Sequence, residues 1–175
     1  MMKFKISLVN QLAALPFLIV QIVASTIFIW YVDYDRSAIV IFSLGILLLS
    51  MPAAYLHIEY FLVNNRQVIE INSQEIILEK DGELNSFPNK EVKEIIVCKS
   101  ASMDKGGFPF TLMEYYYYLK IVTDKGDEII ITSLMSRSIE QVLEYFKDVK
   151  LKRKKPAFAG LHFTPEPLKL LRIDN

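Results

Sequence analysis

Two histidines, one cysteine, a glycine pair, four consecutive tyrosines and a lysine-arginine cluster are the groups in this 175-residue chain whose chemistry could be put to work. His57 and His162 lie far apart, and neither has a cysteine or carboxylate at a metal-ligand spacing. Cys98 sits among Ile95, Ile96 and Val97, which reads as a small buried hydrophobe and not as a nucleophile. Gly106-Gly107 is followed by no Lys-Ser or Lys-Thr pair, so a phosphate-cradling loop is unsupported. Tyr115 to Tyr118 could stack bases or a partner's side chains, but in a strand they must alternate between two faces, and the structural role is favoured. No pair of groups suited to acid–base or nucleophilic work emerges, so the expectation is a protein without a cofactor or metal that is not an enzyme.

The basic cluster carries more information. Residues 57–146 hold 9 basic and 15 acidic side chains, a net of −6, while residues 147–175 hold 8 basic and 3 acidic, a net of +5. Lys147, Lys150, Lys152, Arg153, Lys154 and Lys155 form the densest patch, and three readings compete for it. It can attract anionic lipid, neutralise the acidic domain before it, or hold RNA. No aromatic residue interleaves the run, so nucleic acid is the weakest partner. Beyond it, Phe158, Leu161 and Phe163, with a short stripe of Leu168 and Leu171 after Pro165, read as anchors for docking on the domain or on another protein. The plain alternative is a disordered end.

The elements that position these groups begin with hydrocarbon. The chain is 52% hydrophobic with a mean hydropathy of +0.27, and the excess lies at one end. Residues 6–32 and 37–58 carry no formal charge, and runs of 27 and 22 residues are each long enough to span a bilayer as a helix. The first is too long for a signal-peptide core. Asp33 to Arg36 leaves room only for a tight hairpin, so the helices are antiparallel neighbours. Lys3, Lys5 and Arg66 outweigh the single Arg36 of the hairpin and place both termini in the cytoplasm. Gln21 is expected to hydrogen-bond across to Ser43 or Ser50, and Gln21, Gly45 and Ser50 are candidates for contact with another membrane helix. Trp30, Tyr31 and Tyr34 read as an interfacial belt, and Pro16 and Pro52 as kinks.

The rest reads as strands. EYFLVNNRQVIEI suggests one bent strand or a strand pair, and EIILEKDGELNSF a hairpin about Asp81-Gly82. Residues 95–98 form another strand, and YYYYLKIVTDKGDEIIIT a second hairpin. One amphipathic helix follows, with Ser138 as N-cap and Ile139, Val142, Leu143 and Phe146 on its inner face. The expected division is a transmembrane helical hairpin over 1–58, a cytoplasmic β-rich domain over 59–149, and a basic segment and tail over 150–175.

Two apolar helices running directly into strands, the Asp81-Gly82 hairpin, the segment PNKEVKEIIV, the hairpin DKGDEIII and a closing helix resemble the bacterial membrane-anchored proteins with a pleckstrin-homology-like (PH-like) domain. The likeness covers about residues 10–148 and rests on element order and on positions such as Val92, Ile95, Leu143 and Phe146. It implies a membrane α-helical hairpin plus an α+β unit: a PH-like, partly open antiparallel β-barrel of about seven strands capped by one C-terminal helix. It also implies binding or scaffolding at the bacterial inner membrane. Phosphoinositide binding needs a basic first pair of hairpins, whereas INSQE and EKDGE are neutral to acidic. The loop holding Met103, Phe108, Phe110, Leu112 and Met113 is apolar for a connection, and dipping into the bilayer, binding a partner and folding back are all open to it. The leading expectation is a scaffold, an accessory subunit or an immunity-type protein whose PH-like domain binds a protein partner. The competing one is a sensor of anionic lipid through residues 147–155, and a homo-oligomer is compatible with either.

Overall fold

The computed structural model describes residues 1–33, 35–109 and 111–161. Its first element is a strand that the sequence did not announce. In β1 (Met2–Lys5), Phe4 points into the core at 4% exposure, while Lys3 points out and meets Glu70 at 2.7 Å. Lys3 and Lys5 are therefore sheet residues as well as the basic flank of a helix.

A helical run follows, made of α1 (Leu8–Gln11), a 3-10 turn at Leu12–Ala14 and α2 (Leu15–Tyr31). Pro16 occupies the first turn of α2, where no N–H partner is required, so it starts a helix instead of kinking one. Asp33 takes a positive φ of 54°, and Asp35 caps α3 (Arg36–Asn64) by accepting the Ser37 N–H at 2.7 Å. Stacked rings of Phe28 and Phe42, 4.3 Å apart, join the two helices beside this turn. The stretches Leu8–Tyr31 and Arg36–Asn64, 24 and 29 residues, are long and apolar enough to cross a membrane.

α3 overruns its expected end. Residues 59–64, read above as strand, continue the helix because Ala53, Leu56, Tyr60 and Asn64 recur every three or four positions and are buried. The alternation of Phe61 and Val63 mimicked a strand only because the opposite helix face is also apolar. Asn64 then ends the helix, donating to the carbonyl of Ile130 at 2.8 Å and to Oε1 of Gln67 at 2.7 Å, and Arg66 turns the chain with φ 57°.

Four strands form the first sheet in the order β1-β2-β3-β4, all antiparallel: β2 (Gln67–Ile71), β3 (Glu75–Lys80) and β4 (Glu83–Pro88) follow β1. Asp81 and Gly82 both take positive φ, 52° and 88°, which is the geometry a two-residue hairpin with right-handed strand twist requires. The second sheet has the order β7-β6-β5-β8, from β5 (Val92–Cys98), β6 (Tyr118–Thr123), β7 (Glu128–Thr132) and β8 (Lys150–Lys154). β8 is parallel to β5, with Glu94 opposite Lys150 and Cys98 opposite Lys154.

Two expectations are corrected here. The closing helix is a 3-10 segment, Ile139–Tyr145, in which Ser138 makes no side-chain cap; Ile139, Val142 and Phe146 are buried as the spacing required, but a tighter turn serves the three-residue step equally well. Within the basic segment, residues 150–154 form a strand on the edge of the second sheet. The described residues thus hold eight strands in two open sheets, where about seven in one partly open barrel were expected.

Apolar side chains form two clusters. The inner one fills the space between the sheets, with Phe4, Ile69, Ile71, Ile76, Ile95, Val97, Leu119, Ile121 and Ile131 among its members. The other covers the outer face of the second sheet, where Leu56 and Tyr60 of α3 meet Cys98, Tyr116, Tyr118, Leu134 and Leu161. Of the tyrosines only Tyr118 lies in β6, while Tyr115 ends a 3-10 turn; Tyr117 points inward, and Tyr115, Tyr116 and Tyr118 pack on the helix side.

Candidate functional site

The joint between helices and sheets is stitched by polar groups that no motif marks. Asn10 donates to the Met135 carbonyl at 2.9 Å, and Arg137 reaches the carbonyls of Tyr115 and Asn10 at 3.0 and 3.2 Å while lying over the Tyr115 ring. His57 shares a 3.2 Å hydrogen bond with the Tyr116 hydroxyl. Tyr60 donates to the Ala159 carbonyl at 2.7 Å, and Glu59 accepts the Leu161 N–H at 2.9 Å. Leu161, expected as a partner anchor, is buried against the chain's own helix, and Phe158 lies half-buried with its ring 6.0 Å from that of Tyr55. Phe110, Phe163, Leu168 and Leu171 lie outside the described residues. Gln21 does not make its expected bond: its Oε1 is buried without a partner. A Cβ on Gly45 would meet nothing within 4 Å, so this residue opens no close approach to α2. Ser50 lines a 370 Å³ cavity with Ala14, Leu18, Ala53 and His57.

The basic strand divides in two. In its later half, Lys152 pairs with Glu94 at 2.7 Å, Arg153 with both Asp104 at 2.7 Å and Glu140 at 2.8 Å, and Lys155 with Asp104 at 2.7 Å. The hydrogen bond from Lys152 holds the Glu94 carboxyl below the usual carboxylate range, and those from Lys155 and Arg153 do the same for Asp104. At Glu140 burial pushes the other way, yet hydrogen bonds from Arg153 and Lys99 leave the carboxyl lowered. Lys154 ends the strand beside Cys98, whose thiol burial pushes up and so keeps unreactive.

The earlier half is open. Lys147 and Lys150 line a 540 Å³ groove with Lys90 and Lys93, and all four are exposed; Asp148 is the sole acid on its wall. Tyr145, Val92 and Val149 form the floor between the charges. Lys90 and Lys93 escaped sequence reasoning because they stand just before and at the start of β5, far along the chain from the lysines that the parallel pairing of β8 brings beside them. A further site, the loop before β6, presents Phe108 at 87% exposure. Among the described residues no group of three or more His, Cys, Asp or Glu could hold a metal.

The profile of the PH domain matches residues 1–141. The chain belongs to the PH-domain family. The match begins at β1 and includes both long helices, which fits a PH domain whose first sheet is interrupted after one strand by the two helices. No curated protein sequence matches the chain. PH domains are in general interaction modules for lipids or proteins, not catalysts. In this PH domain the first turns are occupied with themselves: Asn72 Oδ1 accepts the N–H groups of Gln74 and Glu75 at 2.8 and 2.9 Å, and Arg66 lies 3.9 Å from Asp81. The lysine groove lies at the Val92 end of the second sheet, away from the Cys98 end on which α3 packs, and among its lining residues Asp148 is the one acid.

Proposed function

We propose that this PH-domain protein is a non-enzymatic, two-pass membrane scaffold whose PH domain binds a protein partner through the groove of Lys90, Lys93, Lys147 and Lys150. The division of the basic strand carries the reading. Its later half is consumed by Glu94, Asp104 and Glu140, while its earlier half faces solvent. The groove lies by Val92 and Glu94, whereas α3 enters its apolar stretch beyond Tyr116 and Cys98. Six strand steps separate these ends of β5, roughly 20 Å, or about two Debye lengths at physiological salt. Headgroups of the protein's own membrane are therefore screened from the groove, which suits an acidic segment of another protein.

Two-pass anchoring is supported by β1 and β2, which flank the helical hairpin in sequence and pair in one sheet. Strands on opposite sides of a bilayer could not do so. Lys3, Lys5 and Arg66 then favour the cytoplasmic face of a bacterial inner membrane.

A photocrosslinking side chain in place of Lys93, in the full-length protein in host membranes, is expected to give a discrete protein adduct that weakens when Lys90 and Lys147 become glutamate. Lipid adducts alone, or salt-sensitive capture of anionic vesicles with no protein adduct, would replace the scaffold with the lipid sensor.

A further inference from the structure

We infer that the loop before β6 is a second membrane contact, with Phe108 inserted into the same bilayer that holds the helices. This rests on the membrane reading of α2 and α3.

The loop leaves the sheet at the end where the anchor emerges. Cys98, the last residue of β5, lies in one cluster with Leu56 and Tyr60 of α3. Four residues after Phe108, Leu112 lines a cavity with Leu12, Leu15 and Ser50, and Met113 lines a second, 450 Å³ cavity with Met51 and Pro52. The loop thus returns to the level where the exposed apolar side chains of the helices begin, Leu12, Leu15 and Met51 among them. Phe108 stands four residues before Leu112 on this returning loop and is exposed.

Its presentation is built, not incidental. α4 (Ala101–Asp104) is capped by Ser100 and followed by a cross-braced turn. Ser102 accepts the Gly107 N–H at 3.0 Å and donates its hydroxyl to the Phe108 carbonyl at 3.0 Å. Gly106 takes a φ of 74°, and a Cβ on Gly107 would stand 3.0 Å from the Ser102 carbonyl oxygen, so both glycines are needed for the turn to close. Arg153 and Lys155 fix Asp104 at the base of the turn. The backbone is tied down while Phe108 is 87% exposed, so the turn holds a large apolar side chain outward in a fixed place. Lys105, exposed beside it, stands where phosphate headgroups would lie. A hydrocarbon interface accounts for the ring, the basic neighbour and the level at which both sit.

The chain has one tryptophan, Trp30, so single reporters are readily made in a Trp30→Phe background. Full-length Phe108→Trp, Leu48→Trp and Leu84→Trp, reconstituted in phosphatidylcholine vesicles with brominated acyl chains, form the test. Leu48 faces outward from α3 and Leu84 stands on the β3–β4 hairpin. Phe108→Trp should emit to the blue of Leu84→Trp and be quenched by the brominated lipid severalfold more than it. If Leu48→Trp is quenched and Phe108→Trp is water-like, or blue-shifted without lipid quenching, the loop contact is overturned and the anchor stands. If neither is quenched, the membrane reading itself has failed.

Discussion

In the first sheet β2 alternates buried and half-buried residues from Gln67 to Ile71, and β4 turns most of its side chains to water. In the second, β6 buries Tyr118, Leu119, Lys120 and Ile121 in succession. One sheet has a single packed face; the other is packed on both, between the first sheet and α3. A strand covered on both faces loses the alternation that marks a surface strand, and here the second cover is α3, through Leu56 and Tyr60. α3 and the second sheet therefore share one packed unit: α3 leaves most of Val40–Met51 exposed and buries Leu56 and Tyr60.

Breaking the second sheet's cover should have the largest effect. Tyr60→Ala removes a fully buried ring and the donor to Ala159, and should cost about 3–5 kcal/mol, read as loss of thermal stability of the detergent-solubilised protein. Leu48→Ala in the exposed half of the same helix should leave that transition nearly unmoved; equal losses would mean that the two halves of α3 do not differ in solvent.

Phe4→Ala tests the one-sided sheet. Because β1 is an edge strand with a single buried ring, the expected cost is about 3 kcal/mol, at the lower end of the range for such truncations. A negligible change would remove β1 from the folding unit. By contrast, Leu84→Ser on the solvent side of β4 should stay within about 0.5 kcal/mol of wild type, since the side chain is 73% exposed.

The smallest effect should distinguish the edges. Glu94 is held below its ordinary pKa by Lys152, Asp104 by Lys155 and Arg153, and Glu140, against burial, by Arg153 and Lys99. Their contribution is present above the unfolded carboxylate range, about pH 4, and is lost as pH falls through the lower folded values. Amide exchange at Lys150–Lys154, corrected for the intrinsic rate, should therefore accelerate on acidification into that window, while β2 and β3 change less. Uniform acceleration would deny the ion pairs a local role.

Local pattern set much of the framework: uncharged runs of spanning length, an Asp81-Gly82 turn suited to a tight hairpin, and a tyrosine run that leads into a strand. These depend on neighbours in sequence, and the chain alone was enough. Tertiary contact decided the rest. Met2–Lys5 is too short to read as a strand until β2 returns beside it, residues 59–64 become helix because Tyr60 and Asn64 find the second sheet, and residues 150–154 become a strand because β5 offers a free edge. The lysine groove arises in the same way, since charges more than fifty residues apart meet only through that parallel pairing. Long-range pairing leaves no periodic trace in either segment, and so the fold and not the sequence assigns those residues their place.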